Sequence, residues 1–478
     1  MKKAFYITTT LPYVNADLHL GHAMELIRAD ALARAKTIEG YDVFFNTGTD
    51  EHGMKIYEAA AKAGKTPQEY TDYFALRFKE GLEKFGIMPE AHLIRTTDLH
   101  HIKAAQEFWK LCADNGFIYK KNYKIKYCVG CEEEKSDSEL QNGKCPIHLN
   151  RDLELIDEEN YFFKYSAFGE KLLAFYNENR SFVVPEFRLN EIKEFIKKGL
   201  EDFSISRLAS KMSWGIPVPG DSEQVMYVWF DALVNYISTL GWPEDKDTFT
   251  KFWANGTPVQ ICGKDNTRFQ AAMWQAMLMA AGISNTHTLI VNGHVTGEGG
   301  IKMSKSLGNV VNPYDIVDEY GTDALRYFCL AELSAFEDSP FTMERFKESY
   351  NAKLANGIGN LTSRIMKMAE TNLSEPVGIE DNTIPEEYFK FFKEFELNRA
   401  MDFVWSKIGE LDTIIQQTEP FKLVKVDKEK GTEIIIDLVK KLYIIAGMLN
   451  PFMTDTSEKI KACIKANKSP ETPLFLRK

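Results

Sequence analysis

His19-Leu20-Gly21-His22 stands between an apolar, β-rich run, Phe5-Tyr6-Ile7-Thr8-Thr9-Thr10, and a segment carrying Met24, Ile27, Ala31 and Ala35 at helical spacing. The stretch therefore lies at a strand-to-helix junction. The first N–H groups of a helix lack internal partners and sit at the positive end of its dipole, so a phosphate placed there is held by donors the fold exposes anyway. Gly21 lets a nucleotide approach the main chain, where a Cβ would stand in the way. His19 and His22 face one site. Their imidazoles can donate to phosphate oxygens and stabilise the charge that builds up when phosphorus is attacked.

Outward from this junction the chain reads as alternating strands and helices. Asp42-Val43-Phe44-Phe45-Asn46-Thr47 is the second strand and runs into Gly48-Thr49-Asp50-Glu51-His52-Gly53. Such alternation predicts an α/β fold with a doubly wound, Rossmann-like parallel sheet whose ligands bind at the carboxyl ends of the strands, where Leu11, Tyr13, His19 and Asp50 would meet. The sheet is expected to resume with Val225-Met226-Tyr227-Val228-Trp229-Phe230 and again with Pro258-Val259-Gln260-Ile261-Cys262. Lys302-Met303-Ser304-Lys305-Ser306 follows the glycine-rich run from Gly293 to Gly300. Its lysines form a movable cation pair suited to closing on a polyphosphate.

Between these halves the composition shifts. Cys128-x-x-Cys131, thirteen residues, then Cys145-x-x-His148 supplies two close ligand pairs with the spacing of a zinc knuckle. Four protein ligands leave no open position, which predicts one structural zinc ion. The remaining cysteines, Cys112, Cys262, Cys329 and Cys463, lie in apolar surroundings and are expected in the core. From about Phe341 onward the pattern is helical and predicts a bundle.

Bulk properties narrow the class. A chain of 478 residues suggests two to four domains. No apolar run reaches the ~18 residues of a membrane span, and Met1-Lys2-Lys3 leads into a strand rather than a signal segment, so a cytosolic protein with no membrane partner is expected. Seven cysteines in this length do not make a disulfide framework. The net charge of −11 argues against indiscriminate coating of nucleic acid, although lysines cluster at Lys120, Lys121, Lys124 and Lys126, and at Lys422, Lys425, Lys428 and Lys430.

H-x-G-H near the N-terminus together with K-M-S-K-S resembles the class I aminoacyl-tRNA synthetases. Asp202-Phe203-Ser204-Ile205-Ser206-Arg207, Trp214 to Asp221, Tyr227 to Ala232 and Glu159 to Phe163 narrow the resemblance to the methionyl-tRNA synthetase family, from about Ala4 to about Thr456. The resemblance implies domains at 1–115 and 186–340 (two halves of the catalytic domain), 116–185 (the knuckle insertion) and 341–478 (a helical anticodon-binding domain). It implies that L-methionine is activated with Mg-bound ATP and passed to tRNA(Met). His19, His22, Lys302 and Lys305 would be catalytic, and Gly21, Lys264, Asp265 and Lys305 would hold ATP. Leu11, Tyr13, Asp50, Trp229 and Tyr236 would form the methionine pocket together with Asn266 and Gln270, two amides where isoleucine and histidine are usual. Asn360, Arg364, Pro420 and Phe421 would read the anticodon, with Phe421 in place of a usual tryptophan.

The short insertion counts against the relatives for valine, isoleucine and leucine, which carry a large editing domain there. A synthetase for another small apolar amino acid and a tRNA-binding paralogue with altered catalysis remain alternatives. A small nucleotidyltransferase would share H-x-G-H but would need neither knuckle nor bundle. The chain stops soon after the bundle, which predicts a monomer.

Overall fold

The computed structural model describes residues 2–135, 139–301, 303, 310–380 and 383–478. Its contacts divide the chain into two compact units that interleave in sequence. One comprises Met1–Asp17, Asp42–Glu80 and Glu90–Val291, and the other Leu18–Tyr41, Gly81–Pro89 and Asn292–Lys478.

The first unit is built on a six-stranded sheet. Its strands are β1 (Ala4–Thr9), β2 (Asp42–Thr49) and β3 (His92–Arg95), followed by Val183–Val184, Thr257–Gly263 and Thr288–Asn292. The spatial order is β3-β2-β1, then Thr257–Gly263, Thr288–Asn292 and Val183–Val184. β1 pairs in parallel with β2 on one side, Ile7 opposite Phe45, and with Thr257–Gly263 on the other, Ile7 opposite Val259. The chain order reverses between these two neighbours of β1, which makes this edge the switch point where ligands of such sheets bind. Both central strands are buried along nearly their whole length, so they read as continuous Val, Ile, Phe and Thr runs instead of alternating. Trp253, Trp274, Phe108, Phe163 and Tyr236 fill the core packed on the sheet.

One strand differs from expectation. Val225 to Phe230 does not join the parallel sheet: Asp221–Met226 pairs antiparallel with Pro217–Val218 and Ser206–Leu208, and Val228–Ala232 is a short helix. The turn through Gly220, at φ 80°, folds the strand back on its predecessor, and an antiparallel partner reached within a few residues closes a shorter loop than a crossover would. Trp229 accordingly projects from a helix. The knuckle region carries a four-stranded antiparallel sheet in which Ile118–Cys128 and Glu154–Phe163 form a long ladder flanked by Glu133–Lys135 and Phe203–Ser204.

The second unit is helical. It contains α1 (Leu20–Ile38), Pro313–Tyr320, Thr322–Tyr327 and the bundle helices Asn360–Asn372, Leu397–Thr418, Lys428–Leu449 and Thr454–Ala466. Two buried arginines join its segments. Arg326, 1% exposed, donates to Asp30 Oδ2 (2.6 Å) and to the carbonyls of Phe85, Gly86, Pro451 and Phe452. Arg28 donates to Asn292 Oδ1 at 3.0 Å and to the carbonyls of Leu333, Ser334 and Ala335. Cys112, Cys262 and Cys329 are buried as expected, whereas Cys463 is only half-buried because it lies on the outer part of the Thr454–Ala466 helix. No helix among the described residues is long and apolar enough to cross a membrane.

Candidate functional site

In the first unit, polar atoms without partners gather at the carboxyl ends of β1 and β2. Asp50 N–H donates to the Pro12 carbonyl (3.0 Å) and Val14 N–H to the Asp50 carbonyl (3.3 Å), so Tyr13 and Asp50 form a one-pair extension of the sheet. Asp50 is 3% exposed, and its Oδ1, the Tyr13 hydroxyl and Trp229 Nε1 make no hydrogen bond among the described residues. Buried polar groups are rarely left so, and an acceptor beside two donors is what an amino acid in its dipolar form requires. Burial first, then the charges of Asp231, Glu132 and Glu51, pushes the Asp50 carboxyl well above its ordinary range. A bound ammonium would reverse that shift.

Aromatic rings form the wall. Trp229 stacks on Phe269 with centroids 3.8 Å apart and planes 6° from parallel, and Tyr13 meets Trp229 edge-on at 6.4 Å. Leu11 is buried at 8% exposure. Tyr236 packs edge-on to Trp274 and accepts, through its carbonyl, the Tyr6 hydroxyl at 2.8 Å. Gln270 is buried, donating to Thr10 Oγ1 (2.8 Å) and accepting from Gln260 Nε2 (3.3 Å), while Asn266 is half-buried in the turn Lys264–Asn266. In the same turn Lys264 is half-buried and Asp265 exposed; a Cβ on Gly263 would come within 2.7 Å of Asp265 Oδ1. The turn bearing Asp50 is held rigidly: Glu51 receives Arg95 in a two-pronged pair (2.7 and 2.8 Å), and Trp214 Nε1 donates to the Glu51 carbonyl at 2.5 Å.

In the second unit, His19 is the N-cap of α1. His22 N–H donates to His19 Nδ1 (3.3 Å) and His19 N–H to His22 Nδ1 (3.5 Å), a reciprocal capping box made from two imidazoles stacked at 3.6 Å. With both Nδ1 atoms accepting, each neutral ring carries its proton on Nε2 and presents it as a donor. A Cβ on Gly21 would press within 3.0 Å of the His19 ring, so the glycine also keeps this stack in place. Lys302 and Lys305 lie outside the described residues. Asn360 is exposed and Arg364 half-buried one turn on, with Arg364 Nη1 2.7 Å from Asp412 Oδ1. Pro420 is buried, and the Phe421 ring is 45% exposed.

The knuckle residues come together as the spacing implies. Cys128, Cys131 and Cys145 Sγ and His148 Nδ1 all lie within 4.8 Å of one another, with Cys131 Sγ 3.5 Å from Cys145 Sγ and 3.2 Å from His148 Nδ1. Thiolates on a tetrahedral zinc at ~2.3 Å stand about 3.8 Å apart, so three sulfurs and one imidazole at these separations fit the ion. Gly130 is required locally, since a Cβ there would meet the His148 ring at 2.6 Å.

Three participants escape a reading of the sequence. Phe269 reaches Trp229 from a distant segment. Arg207, within a quoted motif, lies between the Tyr127 and Tyr227 rings at 4.8 Å from each. Glu132, buried at 2% exposure, is the first of three consecutive glutamates, and nothing in residue type separates it from Glu133 and Glu134.

The chain matches the family model for class I tRNA synthetases (M) over residues 5–154 and 131–366. It is 40% identical over 476 residues to the methionine–tRNA ligase of Caldanaerobacter subterraneus subsp. tengcongensis, spanning 96% of this chain and 74% of that one. Identity to the corresponding ligase of Thermotoga maritima is 37% over 484 residues, 98% of this chain and 76% of the relative. Among solved structures, Mycobacterium tuberculosis methionyl-tRNA synthetase in complex with methionyl-adenylate matches with a TM-score of 0.92 and 32% identity over 100% of both chains.

Proposed function

The chain belongs to the methionyl-tRNA synthetases of class I, and from that premise we infer how its residues do the work of a methionine–tRNA ligase. A methionine carboxylate oxygen attacks the α-phosphorus of ATP, forming methionyl-adenylate and releasing pyrophosphate. The terminal ribose hydroxyl of tRNA(Met) then attacks the activated carbonyl, and AMP leaves with the bonding pair of the broken C–O bond.

The observation that carries this reading is the buried, unpartnered set of Asp50 Oδ1, Tyr13 hydroxyl and Trp229 Nε1 beside stacked aromatic rings. Asp50 pairs with the substrate ammonium, and Tyr13, Leu11 and Trp229 enclose the thioether, a polarizable chain suited to aromatic neighbours. Tyr236, buried against Trp274, is assigned to the side-chain end of the pocket by the family resemblance. Asn266 and Gln270 replace the usual isoleucine and histidine; Gln270, tied to Thr10 and Gln260, contributes shape and no titrating group.

The nucleotide falls to other residues. His19 and His22 donate Nε2–H to phosphate oxygens beside Gly21, stabilising the charge that grows there in the transition state. Lys264 and Asp265 hold phosphate and ribose hydroxyls, and Lys302 and Lys305 close on the pyrophosphate; ATP enters as its magnesium complex. Asn360, Arg364, Pro420 and Phe421 read the anticodon, Phe421 by stacking. Cys128, Cys131, Cys145 and His148 would hold a structural zinc ion whose filled coordination shell braces the fold.

ATP–pyrophosphate exchange with purified protein, run separately with methionine, leucine, isoleucine, valine and cysteine, tests the activation step. Exchange driven by methionine alone is the expected outcome. Exchange with another of these, or with none, would overturn the assignment.

A further inference from the structure

The helix that follows the Asp50 turn is capped from outside. α2 (Met54–Lys62) begins after Gly53, which supplies no side-chain cap, and the free N–H of Lys55 is taken instead by Glu132 Oε1 at 2.7 Å. Glu132 immediately follows the metal ligand Cys131. Its other carboxylate oxygen accepts the Tyr127 hydroxyl, and its carbonyl accepts the Tyr227 hydroxyl. A Cβ on Gly53 would stand 3.1 Å from Glu132 Oε1, so the glycine is what admits the carboxylate.

Glu132 also adopts the left-handed conformation, φ 57°. That conformation is unfavourable for a residue with a Cβ, and it persists only where surrounding structure fixes it. Here the knuckle turn on one side and the α2 cap on the other do so. The same conformation sends the Glu132 side chain inward.

We propose that Glu132 is a positioning residue that transmits the fold of the metal knuckle to the amino-acid pocket: by capping α2 it holds the Asp50–Gly53 turn in the geometry that receives the substrate ammonium. The inference rests on the reading of Tyr13, Asp50 and Trp229 as that pocket. It requires no contact between Glu132 and methionine.

The test uses Glu132→Ala and Glu132→Gln in the full chain. It reads exchange kinetics, equilibrium methionine binding by tryptophan fluorescence, and zinc per chain. Glu132→Ala is expected to raise both KM and Kd for methionine about tenfold, the size of a lost cap, with KM for ATP and kcat within about twofold and zinc content unchanged. Glutamine keeps an oxygen that accepts Lys55 N–H and should restore methionine affinity to within about threefold of wild type. Chelating the zinc should weaken methionine binding by wild type in the same direction and add little in Glu132→Ala. An unchanged methionine Kd in Glu132→Ala would overturn the proposal. So would a uniform loss of kcat, ATP affinity and zinc that glutamine fails to rescue, and if the alanine variant does not fold, zinc chelation of the wild type decides: an unchanged methionine Kd there overturns the proposal. Failure of wild-type exchange with methionine would instead defeat the reading of the pocket.

Discussion

Asp50 shows how a single buried carboxylate sets the character of a site. With its charge opposed by burial and by Asp231, Glu132 and Glu51, the Asp50 carboxyl holds its proton to a higher pH than an exposed aspartate does. On the proposed pairing of Asp50 with the substrate ammonium, binding needs the ionised form, so association should release that proton and methionine affinity should rise with pH through the raised titration of Asp50. Calorimetry in buffers of different ionisation enthalpy would detect the release. Asp50→Asn should abolish the pH slope and raise KM for methionine by about 10- to 100-fold, the value of a charge-assisted hydrogen bond of ~1.5–3 kcal/mol. A retained slope would assign the proton to another group.

α1 poses the question of whether its two histidines serve the helix or the reaction. His19 caps the helix with Nδ1, a role that asparagine fills as well as any residue. His19→Asn should therefore leave the melting temperature nearly unchanged while slowing pyrophosphate exchange by about 10²-fold or more, because it removes the Nε2 donor proposed for the phosphate. A fall in stability with exchange intact would reverse the assignment. A different histidine bears on stability: His101, on the helix Leu99–Asp114, has its Nδ1 2.8 Å from Ser238 Oγ and is fully buried. Burial, with help from the charges of His52 and His100, lowers its pKa from 6.5 to about 3. The unfolded chain then takes up a proton that the folded one refuses, so His101 makes stability fall as pH drops from about 6.5 toward 3. Denaturant titrations at several pH values should show a shallower fall in His101→Gln.

The molecule as a whole is assembled from segments far apart in the chain. The second unit draws α1, residues 81–89 and everything after Val291 together, and Arg326 is the charge they share. Arg326→Met should destabilise the protein by about 3 kcal/mol, near the lower end for breaking a buried pair because Asp30 keeps Arg34 at 2.7 Å. Thermal melts would measure it, and a change under 1 kcal/mol would mean that the carbonyls of Pro451 and Phe452 find other donors. The sequence by itself determined whatever depends on residues close together in the chain: the capped helix start at His19, the Cys-x-x-Cys and Cys-x-x-His pairs, the alternation that yields a parallel sheet, and the helical bundle. Local hydrogen bonds and ligand reach act over a few residues, so their signals survive in a string. Only the tertiary structure decided that Asp50 is buried with its Oδ1 lacking a partner among the described residues, that Phe269 lies against Trp229, that Val225 to Phe230 splits into an antiparallel strand and a helix, and that Glu132 turns inward to cap α2. Apart from the local hairpin through Gly220, each of these follows from packing between segments tens of residues apart, where burial and desolvation, which no residue type carries alone, set the energy.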